Sequence, residues 1–206
     1  MRVFIIYDNH AREGFSSGWG FAAMLEIGKE KILFDTGDNP ESLLHNMRSL
    51  SIEPSEIGTV VISHEHGDHI GGLAGFLEMG NPKARVVRQG DFTELTKIAA
   101  GVYTTGSIQS NGAPDEQSLY AESSQGKVLL VGCSHPGVDK ILDMVKASGN
   151  VYAIIGGFHG FDRLDRLKSV QMIAPCHCTK HINEIRQMYP SKYLEVMAGD
   201  IIDLPD

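Results

Sequence analysis

The stretch Thr59-Val60-Val61-Ile62-Ser63-His64-Glu65-His66-Gly67-Asp68-His69-Ile70-Gly71-Gly72-Leu73 decides how this chain is read. Thr59 to Ile62 form an unbroken β-branched run, the pattern of a strand buried on both faces, as parallel strands are. Within two residues the run gives way to three histidines and an aspartate, then to a glycine pair. His64 and His66 stand two apart, so an extended or turning backbone aims both rings the same way. Asp68 and His69 follow on the reversal and point to a neighbouring position. One short loop can thereby supply two adjoining metal sites with the nitrogen and oxygen donors that zinc favours. A lone histidine at a strand end is commonly a packed or surface residue; four ligand-type side chains in six residues are not so explained. The helical His-Glu-x-x-His motif is excluded, because the position four residues after His64 is Asp68. The spacing reads as a dinuclear metal loop.

A chain of 206 residues is enough for one compact domain, expected over 1–206, and too short for two comfortable ones. Its 23 glycines announce many tight turns, and its formal charge of −8, with no basic run, argues against a nucleic-acid backbone as partner. Bound divalent cations would still make a site locally positive. The cysteines Cys133, Cys176 and Cys178 are too few and too scattered for a disulfide framework. Met1 leads at once into a strand-like run, and no apolar segment approaches the roughly 18–20 residues a membrane span needs. A cytoplasmic protein with a small-molecule substrate and no membrane partner is the expectation; oligomeric state is not legible.

In chain order, Val3 to Tyr7 reads as a strand, followed by a polar loop from Asp8 to Gly20 whose length hints at a site rim. Trp19, within it, is either a core plug or a rim aromatic. Phe21 to Ile27 and Lys31 to Phe34 form a hairpin around Gly28, ending in Phe34-Asp35-Thr36-Gly37-Asp38. Pro40 to Leu50 carries Leu43, Leu44, Met47 and Leu50 at helical spacing, a stripe that serves packing. Leu73 to Glu78 reads as a short helix, Ala84 to Arg88 as a strand and Gly90 to Ala100 as helical. Gly101 to Ser124 is polar and irregular, a flap near a site or a plain surface excursion.

Lys127 to Val131 is the next buried strand, ending in Gly132-Cys133-Ser134-His135-Pro136-Gly137. Ser134 lacks the following glycine of a nucleophile elbow. Cys133 and His135 alternate onto one side if the strand persists, and either could bind metal, histidine being the better choice. Val138 to Ala147 is a helix, and Val151 to Ile155 a strand ending in Gly156-Gly157-Phe158-His159. Gln171 to Ala174 leads into Pro175-Cys176-His177-Cys178-Thr179. Thr179 to Tyr189 is read as a helix, with Tyr193 to Met197 and Ile201-Ile202 closing the fold. Four apolar strands thus end in a histidine, and a zinc-ribbon reading of Cys176 and Cys178 fails for want of a second cysteine pair.

His64-x-His66-x-Asp68-His69, after a hydrophobic strand and before Gly71-Gly72-Leu73, resembles the signature of the metallo-β-lactamase superfamily. The later motifs at Phe34–Gly37, Gly132–Gly137, Gly156–His159 and Pro175–Thr179 are similar to one branch. That branch comprises metal-dependent hydrolases of β-lactamase superfamily II and dihydropterin-ribofuranosylaminobenzene phosphate synthase-like proteins. The resemblance implies an α+β fold, the αββα four-layer sandwich of two face-to-face sheets with helices outside. It implies two divalent ions, zinc first with iron or manganese as alternatives, with His64 and His66 on the first, and Asp68, His69 and the late ligand His177 on the second. With His135, these make the candidate metal set. Asp35 would orient the loop from behind, with Asp38 as its neighbour. Where the superfamily commonly carries a bridging aspartate, Cys133 stands near Gly132 instead. The implied activity is a metal-dependent hydrolase activating water against an ester, lactone or phosphoester, with Asp68 orienting the water and His159 either ligand or hydrogen-bond and proton donor. The rivals are a pterin-phosphate condensing synthase on the same site, a diiron oxidoreductase and a non-enzymatic binding protein. The histidine at 66, where diiron relatives carry a carboxylate, favours zinc.

Overall fold

A computed structural model describes residues 1–206. The chain divides into two compact units, Met1–Arg88 with Met197–Asp206, and Gln89–Val196.

The first unit is a six-stranded mixed sheet. Strands β1 (Arg2–Tyr7), β2 (Ala22–Ile27) and β3 (Glu30–Phe34) are antiparallel, and β3, β4 (Thr59–Val61) and β5 (Arg85–Val87) run parallel. Val60, Val61 and Ile62 are all fully buried, so the β-branched run has no solvent face, as expected for a strand inside a parallel array. Helix α1 (Pro40–Ser49) starts where the Asn39 side chain accepts from Ser42 N at 2.9 Å, with Pro40 pre-set in its first turn. Leu43, Leu44 and Met47 of α1 join Leu33, Val60 and Ile62 in one apolar cluster. A one-turn helix, α2 (Gly67–Ile70), follows the histidine loop and leads into α3 (Leu73–Met79), whose Leu73 and Phe76 complete that cluster.

The second unit carries the other six-stranded mixed sheet. Strands β6 (Thr96–Ala99), β7 (Val102–Thr104), β8 (Leu119–Ser123) and β9 (Gly126–Val131) form an antiparallel meander. From β9 the sheet continues in parallel through β10 (Val151–Gly157) and β11 (Met172–Cys176). Helix α4 (Val138–Lys146) turns Val138, Ile141, Leu142 and Val145 into a cluster with Leu129, Val131, Ile154 and Ile173. Helix α5 (Ile182–Met188) adds Ile185. The strand β12 (Ile201–Asp203) returns to the first unit and pairs antiparallel with β1. Two mixed sheets with helices give the α+β class expected.

Several local expectations are corrected. Gly90 to Ala100 is not helical: Thr96 and Lys97 pair with Thr104 and Tyr103, and Gly101, at φ +69°, turns β6 back into β7. Cross-strand pairing overrides the weak local preference of a short polar segment. Gly101 to Ser124 is neither flap nor excursion, since it supplies β7 and β8 and buries Thr104, Glu116, Gln117 and Ser118. Helix α5 begins later than Thr179, whose hydroxyl donates to Cys176 O at 2.8 Å and accepts from Phe158 N at 2.9 Å. Tyr193 makes a single bridge to Ile173 rather than opening a strand. Trp19 is 60% exposed and plugs no core.

The glycine pair ending β10 is required by close approach. Gly156 sits at φ +130°, and a Cβ there would lie 1.9 Å from Val131 O of β9. Gly156→Ala is expected to cost about 2–3 kcal/mol through strain and overlap. Gly28→Ala, at φ +58° with open space around it, should cost about 1 kcal/mol. Urea midpoints of the two variants check the contrast.

Candidate metal centre

In the first unit the ends of two adjacent parallel strands build the site. Asp35 follows β3 in the left-handed region, at φ +58°, and is fully buried. Its Oδ1 accepts from Ser63 N, and its Oδ2 accepts from Ser63 Oγ and from His69 Nδ1, all at 2.7 Å. Because Ser63 Oγ donates its one proton to Asp35, its 2.9 Å contact with His64 Nδ1 must be donated by the ring. One carboxylate therefore fixes two rings, His69 directly and His64 through a hydroxyl, with Nδ1 protonated in both. The Nε2 lone pairs are left to bind a cation, the orientation that carboxylate–histidine–metal arrangements produce. Burial raises the Asp35 pKa, opposed by His69 and Ser63, and the three donors aimed at it fit the carboxylate form.

The four loop residues are together. His64 Nε2 lies 3.1 Å from His66 Nδ1, the His64 and His69 ring centroids are 4.2 Å apart, and Asp68 Oδ2 is 3.8 Å from His69 Nε2. Two imidazole nitrogens sharing a tetrahedral zinc stand about 3.3 Å apart, given Zn–N bonds of about 2.0–2.1 Å, so the donor set fits such an ion. His64 and His69 are buried, Asp68 is partly exposed and His66 is exposed, so the loop runs from core to surface. The Gly71-Gly72 pair lets this loop lie against its neighbour: a Cβ would come within 2.4 Å of Asp38 O at Gly71 and 2.2 Å of Thr36 O at Gly72. Thr36 donates from both N and Oγ1 to His69 O at 2.8 Å. Asp38 belongs to a different contact, with the Tyr7 hydroxyl.

Asp35→Asn should keep the fold and lower metal affinity about 10–100-fold, because the amide cannot accept from all three donors. Competition against a chromophoric chelator measures it.

In the second unit three neighbouring parallel strands, β9, β10 and β11, each end in a histidine. His135, His159 and His177 follow them, and Ser134, His159 and His177 all take left-handed φ, at 60°, 43° and 50°. Such residues are uncommon outside glycine and gather at functional sites. Here they end the strands sharply and turn the side chains out of the sheet edge. Cys133 and His177 are buried, His135 is half-buried and His159 exposed. Cys133 Sγ lies 3.5 Å from His177 Nε2 and within 4.8 Å of a ring nitrogen of His135. His135 and His159 have ring centroids 5.2 Å apart. Partial burial, then the neighbouring His135 and Lys180, hold the His159 pKa below 6.5, so its ring is neutral at pH 7. The β9 strand does not persist through the motif, so Cys133 and His135 are placed by a turn rather than by alternation.

One residue of this region escaped sequence reasoning. Glu116 is fully buried, its Oε1 accepting from Gly132 N, Cys133 N and Ser134 N at 3.1, 2.9 and 2.9 Å. Its Oε2 accepts from His135 N at 2.9 Å and lies 3.2 Å from His135 Nδ1. Four consecutive amides converge on one carboxylate, which sets the loop carrying Cys133 and His135. Nothing in Pro114-Asp115-Glu116-Gln117 distinguishes it from a solvated loop.

Residues 20–135, more than half of the chain, match the profile of the Metallo-beta-lactamase superfamily. The chain is 25% identical to the 7,8-dihydropterin-6-methyl-4-(beta-D-ribofuranosyl)-aminobenzene-5'-phosphate synthase of Methanocaldococcus jannaschii, over 98% of this chain and 96% of that one. Among solved structures, a metal-dependent hydrolase of the beta-lactamase superfamily superposes with a TM-score of 0.80 at 24% identity, covering 100% of both chains. The metallo-beta-lactamase fold protein YhfI of Bacillus subtilis superposes with a TM-score of 0.69 at 11% identity, over 98% of this chain and 99% of that one. Proteins of this fold usually bind metal ions and are mostly enzymes, and each unit gathers side chains of metal-ligand type. No helix is long and apolar enough to cross a membrane. By its fold and by the match that includes the histidine loop, the chain belongs to the metallo-beta-lactamase superfamily.

Proposed function

We propose that the protein is a cytoplasmic hydrolase with a dinuclear, zinc-type centre, acting on an ester, lactone or phosphoester bond of a small molecule. The proposed metal ligands are His64, His66, Asp68 and His69 of the first unit and His135 and His177 of the second, with residues 1–206 read as one domain. The observation that carries the reading is the Asp35 relay, which protonates His64 and His69 on Nδ1 and turns both Nε2 lone pairs to the same use. When bound, divalent ions supply Lewis-acid polarisation and acidify water to a pKa near about 7. Asp68, beside His69, accepts a hydrogen bond from the attacking water and orients it. His159, neutral and exposed at the end of β10, donates a hydrogen bond to the charge developing on the leaving atom. None of the three cysteines is in a disulfide, which suits a reducing compartment.

A metal-loaded screen against ester, lactone and phosphodiester substrates tests the proposal. Turnover abolished by a chelator and restored by zinc is expected. Absence of turnover across the panel at full metal occupancy would overturn the hydrolase assignment.

A second reading has its own support in the nearly full-length 25% identity to the M. jannaschii synthase. On that reading the same centre assists formation of the compound named for that enzyme, and product formation from its precursors distinguishes the two. Elemental analysis separates zinc from a diiron centre.

A further inference from the structure

We propose that Lys180 is a specificity-determining residue whose ammonium binds an anionic substituent, a phosphate or a carboxylate, of the small-molecule substrate, at the sheet edge where His135, His159 and His177 follow their strands. This deepens the hydrolase reading and rests on it.

The backbone sets the lysine against the turn that ends β10. Lys180 N donates to His159 O at 2.8 Å, Phe158 N donates to Thr179 Oγ1 at 2.9 Å, and Thr179 N donates to Cys176 O at 3.1 Å. The segment after His177 is thereby stitched to the segment carrying His159. The side chain runs back along the same turn, since Lys180 Cδ lies 3.9 Å from where a Cβ on Gly160 would stand. Lys180 is exposed, so its ammonium is open to a ligand. Its charge is also felt at this edge: after burial and His135, Lys180 opposes protonation of His159.

An exposed lysine is ordinary on a plain surface; the surroundings of this one are not ordinary. Arg163, Arg166 and Arg186 of the same unit each pair with a carboxylate, and Lys180 does not. The carboxylate whose charge acts on His159 is Glu116, and its two oxygens are already taken by four amides, with His135 Nδ1 3.2 Å away. Glu184 faces His181 at 3.2 Å. In a chain of formal charge −8, a cation is thus held beside three histidines with no internal counter-ion of its own. An ammonium is a compact point charge with three donors, suited to the oxygens of a phosphate or a carboxylate.

Calorimetric titration of the zinc-loaded full chain with inorganic phosphate and, separately, with benzoate tests this. Lys180→Met is expected to weaken anion binding about tenfold at unchanged zinc content, and Lys180→Arg to retain it. Lys83→Met, at an exposed lysine of the first unit, removes the same net charge and should change nothing. A loss confined to one of the two anions supports the proposal and names the substituent. In turnover, phenyl acetate, para-acetoxybenzoate and para-acetoxyphenyl phosphate share one ester and differ in the anionic group. Lys180→Met should raise KM about tenfold for the anionic esters at unchanged kcat and leave phenyl acetate unmoved. Equal anion affinity in wild type and Lys180→Met, or a KM that rises equally for all three esters, would overturn the proposal and leave the hydrolase reading standing. No turnover of any ester, lactone or phosphodiester, with anion affinity still lost in Lys180→Met, would overturn the hydrolase reading and leave an anion site.

Discussion

Substituting alanine for His69 is expected to lower metal affinity by more than about 100-fold, beyond the 10–100-fold typical of losing an outer partner, and to abolish turnover. His69 sits at the junction of the relay: its Nδ1 donates to Asp35 at 2.7 Å, and its backbone carbonyl accepts two hydrogen bonds from Thr36. Removing the ring deletes a proposed ligand and strips one donor from a fully buried carboxylate. Leaving a buried charge short of its partner costs about 3–5 kcal/mol in comparable cases, so the metal-free variant should also melt earlier. His64→Ala should lose metal as completely with a smaller stability loss, because Ser63 remains on Asp35. Elemental analysis and urea denaturation read the two effects separately. Stoichiometric metal retained in either variant would contradict the ligand assignment.

Glu116→Ala is expected to destabilise the protein by roughly 3–5 kcal/mol, since four buried amides lose their common acceptor. Glu116→Gln keeps one carbonyl oxygen for the three amides on Oε1 but faces His135 N with an NH₂, and should cost about 1–2 kcal/mol. Denaturation curves on both variants check the order. An alanine variant as stable as wild type would show that the loop from Gly132 to His135 holds itself.

What the sequence revealed, and what it hid, follows from where the polar groups lie. The run Thr59–Ile62, the stripe on α1 and the stripe on α4 were legible because apolar residues at a fixed period have one use, burial. The histidine loop was legible because its ligand-type residues are consecutive. The strands β6 to β8 were not, because Thr104, Gln117 and Ser118 are buried with their polar groups paired, as in the 2.6 Å bond from Thr104 Oγ1 to Gln117 Oε1. Such a segment has the composition of a surface loop. Glu116 was hidden for the same reason, since its partners are backbone amides that no side chain announces. The left-handed turns at Asp35, Ser134, His159 and His177 carry no residue signal either, because glycine, which would mark them, is absent. They are the positions that re-aim the candidate ligands, so the directions of Cys133 and His135 could be learned only from coordinates.

The measurement closest to the central claim is the number of divalent ions bound per chain after dialysis of the metal-free protein against zinc. Two zinc ions per wild-type chain, with both lost in a His64→Ala, His69→Ala double variant that remains folded, is the result expected. A folded wild-type protein binding no zinc above the buffer level would contradict it.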